Sequence, residues 1–462
     1  MAECDVLVIG AGPGGYVAAI RAAQRGAKVM VAEREYLGGV CLNVGCIPTK
    51  TLIHSAELYH TMKHAEEHGL DCAGVSFDMA KLVARKNAVV GVNTGGIDGL
   101  FKARGIEVVW GDAKVLAPGK VQVGETVVNA RNIIIATGGR PAVLPGLECN
   151  GKTVIGSTDA LSLTKLPERI AVIGAGAVGA EFACIWNNLG ANVTLIEAMP
   201  TVLPREDEEL CKRVAASFKK RGMDVRVATK VSKLTDHGDS VTLELEGKKA
   251  GSLEVDLVLV GIGLTCNSEV VSQTPELGME LGPRGGIVVN DHMESSVPGI
   301  YAIGDVIDKT WLAHGASAEG IVAATNATGG DKVMDYRVVP SCNFTSPEVA
   351  SVGLTEKAAK EAGYEVKVGK FMLSGSGRAH AIVATEGLVK IVGDAKTDEL
   401  LGLHIMGHEA GELIGIGGLA MSMEATVEEI VDTIHTHPTL SEAIMEAAED
   451  YYGMGIHSRP KR

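Results

Sequence analysis

A chain of 462 residues is long enough for about three domains, each with a buried core. Its formal net charge of −14 argues against nucleic acid or an anionic membrane as the main partner, and no apolar run reaches about 18 residues without a glycine or a charge, which argues against a membrane span. Nine cysteines scattered through a long chain do not form the framework of a small secreted protein and point to a reducing compartment. The N-terminus, MAECDVLVIGAGPGG, lacks a basic leader, so a cytoplasmic location is expected, or a mitochondrial matrix one if a transit peptide has already been removed.

Residues 6–33, VLVIGAGPGGYVAAIRAAQRGAKVMVAE, read as buried strand, glycine turn, amphipathic helix, second strand and closing acid. The same order returns without a gap at residues 170–197, IAVIGAGAVGAEFACIWNNLGANVTLIE. A single glycine cluster would be only a tight turn. Two copies in register, each with Glu at the same offset, predict two dinucleotide-binding folds. Gly10 and Gly12, like Gly174 and Gly176, let the backbone turn and approach a pyrophosphate at the helix N-terminus, while Gly15 and Gly179 let helix pack on strand. Glu33 and Glu197 are placed to accept hydrogen bonds from a ribose, the alternative being solvated strand ends. An acid there repels a 2′-phosphate, so Glu197 favours NAD over NADP if the second fold holds the nicotinamide.

Directly after the first copy comes GGVCLNVGCIPTK, Gly38 to Lys50. On a regular helix, residues five apart lie about 8.7 Å from each other, whereas a disulfide needs about 7 Å or less between Cα atoms. Cys41 and Cys46 therefore become partners only if this segment bends, and Gly45 is the residue that permits it. A bridge held in distorted backbone is the reducible kind. Lys50 lies one helical turn beyond Cys46, so both can face one ligand; an exposed, unrelated lysine is the other reading.

Two apolar strands then open into glycine turns. IIIATGGRP carries Thr137 and Gly138, and GIYAIGDV carries Asp305 where a strand's carboxyl end meets a ligand. The second of them follows the whole second repeat, so the second fold is expected to be inserted into the first. After about residue 345 the texture changes to a mixed segment ending in LSEAIMEAAEDYY, read as a separate domain. The expected architecture is α/β: two Rossmann-like dinucleotide-binding domains, the second inserted into the first, and a C-terminal α+β domain. The boundaries are drawn at 1–148, 149–275, 276–345 and 346–462.

Near the C-terminus, HTHPTLSE holds His437 and Glu442. Thr439 and Glu442 have capping-box spacing behind Pro438, so Glu442 has a reading as a helix starter, and His437 one as a satisfied loop histidine. The other reading is a histidine base held by a carboxylate, as a thiolate mechanism requires.

The two nucleotide folds, with CLNVGC, ATGGRP, AIGDV, PEVASVGLTE and HTHPTLSE in this order over nearly the full length, resemble the pyridine nucleotide–disulfide oxidoreductases, and among them the branch that oxidises lipoyl groups. The resemblance implies FAD on the first fold (1–148), NAD on the second (149–275), a central segment completing the FAD fold (276–345) and a dimerisation domain (346–462). It implies Cys41 as the thiol exchanging with substrate, Cys46 as the thiol against the flavin, Lys50 near the flavin with Glu181 as its partner, and His437 with Glu442 as the base pair. Cofactors would then be FAD and NAD. Partners would be a second copy of the chain and a lipoyl-bearing carrier of a 2-oxo acid dehydrogenase complex or of the glycine cleavage system, with no nucleic acid and no membrane.

His60, His64 and His68 recur at helical spacing, but no carboxylate or cysteine completes a metal set, and they are read as a solvated face. Cys4, Cys72, Cys149, Cys184, Cys211, Cys266 and Cys342 are read as structural thiols. Where relatives usually show GR-x-PN, this chain has GLTCN, with Leu264 and Cys266 in place of Arg and Pro. LAHGAS and CNFTSPEVA also depart locally from the family's usual Lys and Tyr. The rival readings are a glutathione-type reductase, which Glu197 opposes; a mercuric-type reductase, for which a C-terminal cysteine pair is missing; a transhydrogenase; and a non-catalytic redox-sensing flavoprotein.

Overall fold

The strand Ala2–Ile9 lies inside a seven-stranded sheet, and its Val6, Leu7 and Val8 are fully buried, as a parallel strand covered on both faces requires. This is the computed structural model of the chain, and it describes residues 2–458. The strand order runs Glu107–Trp110, Val29–Glu33, Ala2–Ile9, Thr126–Ile135, Lys120–Val123, Ala113–Ala117, with Ile300–Ala302 also paired to Thr126–Ile135. That last pairing, Ile300 opposite Ile133, brings chain from beyond the second repeat back into the first sheet. The second fold is therefore inserted into the first. The helix Pro13–Gln24 turns Gly14, Gly15, Ala18, Ala19 and Ala22 inward. Their small side chains admit the helix Ala313–Ala327 so closely that a Cβ on Gly320 would meet the Gly14 carbonyl at 2.5 Å.

The second repeat builds a five-stranded parallel sheet ordered Asp224–Arg226, Asn192–Ile196, Arg169–Ile173, Leu257–Val260, Val154–Ile155. An antiparallel meander, Thr229–Asp236, Val241–Gly247 and Gly251–Val255, packs its apolar residues against it. The C-terminal segment is antiparallel: Ser341–Asn343, Glu348–Gly353, Leu400–Gly407, Leu388–Asp394 and Val366–Met372. Every residue of Leu400–Gly407 is buried, because Ile414, Ile444, Ala447 and their helices close over this sheet in one core. Lys390, only 2 % exposed, is held at 2.9 Å by Asp207 and at 2.7 Å by Glu356.

Two compact units divide the chain. One comprises the chain up to Leu52, Ala80–Val143 and Gly263–Asp335; the other comprises Ile53–Met79, Leu144–Ile262 and the chain from Tyr336. This division groups the second nucleotide fold with the C-terminal sheet, where the sequence reading separates them. No described helix is long and apolar enough to cross a membrane.

Candidate active site

The glycine turns of the two folds are near copies. Gly10 and Gly174 adopt φ of +101° and +100°, and a Cβ on either would meet a neighbouring carbonyl oxygen at 2.3 Å, Ala136 in the first fold and Gly261 in the second. Gly12 and Gly176 are different: around Gly176 nothing lies within 4 Å, and around Gly12 only the Gly39 Cα at 3.8 Å, so both leave room for a ligand. Gly15 and Gly179 press helix onto turn, since a Cβ there would overlap the carbonyl of Gly10 or Gly174 at 1.9 Å. The closing acids hold these turns from inside. Glu33 accepts from the Ala11 N–H at 2.7 Å and from the Arg34 and Glu35 N–H groups at 2.9 Å. Glu197 accepts from the Ala175 N–H at 2.7 Å and the Met199 N–H at 2.8 Å.

The cysteine segment is broken where the spacing argument requires. One helix runs Gly39–Val44 and the next Cys46–Lys63, with Gly45 between them; a Cβ on Gly45 would meet the Val40 carbonyl at 2.9 Å. Cys41 and Cys46 are both thiols, and the two lie against each other. The hydrogen bond to Cys46 and then burial push the Cys41 thiol well above its ordinary value, while the Lys50 ammonium pulls the other way. Ionising Cys41 is therefore disfavoured while Cys46 lies against it, and the Lys50 ammonium is the charge that opposes this.

Thr137 and Gly138 form a turn stapled to Asn267: Thr137 Oγ1 donates to the Asn267 carbonyl at 2.7 Å, and Asn267 Nδ2 donates to the Thr137 carbonyl at 3.0 Å. Arg140 reinforces the staple, donating to Asn267 Oδ1 at 2.6 Å and pairing with Glu269 at 2.6 Å. Asp305 opens the short helix Gly304–Ile307 after the strand Ile300–Ala302, and among the described residues its carboxylate has no hydrogen-bond partner. Burial, and then the fully buried Glu319, push it up to about 6. Glu319 itself accepts from the Gly304 N–H at 2.6 Å.

In the C-terminal segment His437 Nδ1 lies 2.8 Å from Glu442 Oε1, and Glu442 Oε2 accepts from the Thr439 N–H at 2.7 Å. Burial pushes the Glu442 carboxyl up, but the Thr439 N–H and His437 outweigh it and hold it below the usual carboxylate range. The capping box is only half formed. The helix begins at Glu442, and the Thr439 hydroxyl turns away to the Thr436 carbonyl at 2.7 Å and to Ser441 at 2.8 Å. The carboxylate is thus shared between starting the helix and holding the histidine. Glu181 is 4 % exposed on the helix Ala177–Asn188 and accepts from the Phe344 N–H at 3.0 Å.

Comparison with known proteins decides the family. The pyridine nucleotide-disulphide oxidoreductase family matches residues 4–320, and its dimerisation domain matches residues 339–448. Dihydrolipoyl dehydrogenase of Thermus scotoductus is 47% identical over 461 residues, covering 99% of this chain and 99% of that protein. The mitochondrial dihydrolipoyl dehydrogenase of Pisum sativum is 43% identical over 465 residues, covering 98% of this chain and 93% of its own. Among solved structures, LpdA of Mycobacterium tuberculosis superposes with a TM-score of 0.89 at 26% identity, covering 97% of this chain and 99% of that one. The chain belongs to the pyridine nucleotide–disulfide oxidoreductases. It is an NAD-linked flavoprotein disulfide oxidoreductase whose cofactors are FAD and NAD, and it carries the family's dimerisation domain, which supports a homodimer.

The residues present fit these cofactors. Gly12 and Gly176 leave open approach at a helix N-terminus, where the backbone N–H groups and the dipole favour a pyrophosphate. The unpartnered Asp305 carboxylate is an acceptor waiting for hydroxyl donors, as a flavin's polyol chain supplies. Asn267, Arg140 and Glu319 escaped the sequence reading. The signal for Glu319 was a lone acid in an apolar helix. The reading of the remaining cysteines needs correction: Cys72 and Cys149 are exposed, so they are not packing thiols. Burial does push Cys4 and Cys211 up to about 11 and Cys184 to about 12, which leaves them unreactive. Among the described residues no group of three His, Cys, Asp or Glu could hold a metal.

Proposed function

We propose that the enzyme is a dihydrolipoyl dehydrogenase, oxidising the dihydrolipoamide of a lipoyl-bearing carrier protein to lipoamide while NAD is reduced to NADH. The observation that carries this reading is the Cys41 and Cys46 pair, in hydrogen-bond contact across the helix break with Lys50 at its side. In the oxidised enzyme the pair forms a disulfide. His437 takes the proton of a dihydrolipoyl thiol, and the resulting thiolate attacks Cys41 Sγ, displacing Cys46 as a thiolate. The second lipoyl thiol then attacks the lipoyl sulfur of the mixed disulfide, closing lipoamide as the bond to Cys41 breaks and leaving its proton on the Cys41 sulfur. Lys50 stabilises the negative charge left on the pair, and Glu442 stabilises the imidazolium formed on His437. Bound FAD supplies the two-electron link between the dithiol and NAD.

In this reading Gly10, Gly12, Gly15, Glu33, Lys50, Thr137, Gly138 and Asp305 hold FAD, and Gly174, Gly176, Gly179, Glu181 and Glu197 line the NAD side. The domains run 1–148 for FAD, 149–275 for NAD, 276–345 completing the FAD fold and 346–462 for the interface. Each active site joins Cys41 of one protomer to His437 of the partner subunit. The carrier belongs to a 2-oxo acid dehydrogenase complex or the glycine cleavage system, and the enzyme works in a reducing compartment.

A steady-state assay of the yellow protein with dihydrolipoamide and either NAD or NADP, with glutathione disulfide as control, tests the substrate. Turnover of dihydrolipoamide with NAD is expected to dominate, and faster NADPH-dependent reduction of glutathione disulfide refutes the reading. The shared site has its own test. Dissociating and reassociating Cys41→Ser with His437→Gln dimers makes about half the dimers mixed, each with one intact site, so about a quarter of wild-type activity should return. No recovery, with mixed dimers proven by mass spectrometry, sinks the intersubunit site.

A further inference from the structure

Each glycine turn is pinned from two sides. In the first fold the Ala11 N–H donates to Glu33, and the Ala11 carbonyl accepts from the Gly38 N–H at 2.8 Å. In the second the Ala175 N–H donates to Glu197, and the Ala175 carbonyl accepts from the Leu203 N–H at 2.8 Å. The closing residues differ in kind. Gly38 sits at φ +89°, which costs glycine nothing; Leu203 sits at φ +47°, which strains a side-chain-bearing residue and persists only where the surroundings enforce it.

On its other side Leu203 is held by Glu206. Its N–H donates to the Leu203 carbonyl at 2.9 Å, and its carboxylate enters a buried chain of polar groups. Oε1 accepts from Asn343 Nδ2 at 2.8 Å and from Ser341 Oγ at 3.4 Å, and Oε2 meets Ser351 Oγ at 2.5 Å. Ser351 Oγ lies 2.9 Å from His404 Nδ1, and His404 Nε2 lies 2.9 Å from the Leu354 carbonyl.

Counting protons along this chain fixes its state. The Leu354 carbonyl only accepts, so His404 Nε2 donates, and in the neutral ring Nδ1 then accepts the Ser351 hydroxyl proton. Ser351 Oγ, its proton spent, is left to accept from Glu206 Oε2, which must therefore carry a proton. With Glu206 ionised and His404 neutral, two acceptors would face each other across one hydroxyl, a costly arrangement in the interior. His404 is fully buried, which disfavours the alternative of an imidazolium. The charged groups facing the chain are Asp207 and Lys390, with Glu356 and Glu209 beyond Lys390; the Cys211 thiol also lies against Glu206.

We infer that Glu206 is a protonated positioning residue which, through Ser351 and His404, fixes the Leu203 clamp on the nucleotide turn of the second fold and so sets the affinity for NAD. Burial pushes Glu206 up and His404 down, the directions this arrangement needs. The inference rests on the reading that the second fold holds NAD. Because the folded chain keeps its proton to higher pH than an exposed Glu would, the clamp loosens as pH rises through the raised Glu206 value.

The test compares KM for NAD with kcat across pH in the holoenzyme for wild type, Glu206→Gln, Glu206→Ala and Glu197→Ala. Glu206→Ala should raise KM for NAD about five- to tenfold with kcat little changed, since buried donors and acceptors lose their partners. Glu206→Gln, whose amide N–H replaces the proton, should match wild type below the pH at which Glu206 ionises and lack the rise in KM that wild type shows above it. An unmoved KM in Glu206→Ala, or equal damage from Gln and Ala, overturns the inference. If Glu197→Ala also leaves KM unmoved, the placement of NAD has failed, and the inference with it; if Glu197→Ala shifts KM and Glu206→Ala does not, only the clamp has failed. Should Glu206→Ala not fold, infrared spectroscopy decides: wild type must show a buried carboxylic-acid C=O band that Glu206→Gln lacks, and its absence overturns the inference.

Discussion

Replacing Glu442 with Gln removes a charge and keeps a shape, so it isolates what the carboxylate does for His437. In the structure one carboxylate oxygen faces His437 Nδ1 at 2.8 Å and the other holds the Thr439 N–H at 2.7 Å. Gln can keep the second contact through its carbonyl, so the start of the helix should survive. What disappears is the stabilisation of the imidazolium. A hydrogen bond to a charged group contributes about 1.5–3 kcal/mol. The His437 side chain is 80% exposed and that of Glu442 27%, so solvent screening reduces this to about 1–1.5 kcal/mol, a loss of roughly tenfold in rate. The sign for pH follows. Glu442 is held below the usual carboxylate range and stays ionised wherever the enzyme works, so it favours the protonated imidazole. The carboxylate's contribution is present above the usual carboxylate range and fades as pH falls through the lowered Glu442 value, so the gap between wild type and Glu442→Gln should narrow only in acid. Measuring kcat and kcat/KM for dihydrolipoamide from acid to neutral pH checks both effects. An unchanged kcat across this range would mean that Glu442 only starts the helix.

Cys41→Ser should keep the long-wavelength thiolate-to-flavin absorption while losing lipoamide turnover, and Cys46→Ser should lose the absorption itself; the opposite pattern reverses the two roles. Glu197→Ala should relax discrimination against NADP, but it should also raise KM for NAD, because the same carboxylate holds the Ala175 and Met199 N–H groups; NADP preference in the wild type would contradict the assignment. Lys390→Met should lower stability by about 3–5 kcal/mol, since it strands the buried Asp207 carboxylate, and an unshifted denaturant midpoint would refute that. Glu356 is held down to about 2, first by Lys360 and then by Lys390, so its contribution is present above the ordinary carboxylate value and fades as pH falls towards about 2; Lys390→Met should make acid unfolding less steep in that window.

What the sequence disclosed depended on how local the cause was. The two nucleotide folds were legible because strand, turn, helix and acid follow one another within 28 residues, and each step has its own residue signature. The insertion of one fold in the other was legible from the place of GIYAIGDV after the second repeat, which the pairing of Ile300 with Ile133 realises. The helix break at Gly45 followed from one spacing and one glycine. Contacts between distant segments left no such mark. Nothing near Thr137 announces that Asn267 staples its turn from 130 residues away. The Thr439 capping box misled in part, because its pattern specifies two reciprocal bonds and the structure forms one, giving the other carboxylate oxygen to His437. Exposure of Cys72 and Cys149 was hidden because a thiol's burial depends on what packs over it.

The duplicated fold shows how the same geometry can be reached by different chemistry. Both turns need a donor to their central carbonyl from a residue in left-handed conformation, and both have one, Gly38 in the first fold and Leu203 in the second. Glycine meets that need locally, with no side-chain contact of its own. Leucine meets it only with help, and the help comes from a strand of the C-terminal sheet more than a hundred residues later, through Ser351 and His404. The first turn is therefore self-sufficient, while the second depends on the integrity of a domain that the family uses for dimerisation. A substitution in that sheet should weaken NAD binding without touching the nucleotide and leave FAD retention untouched, because the first turn is closed by Gly38.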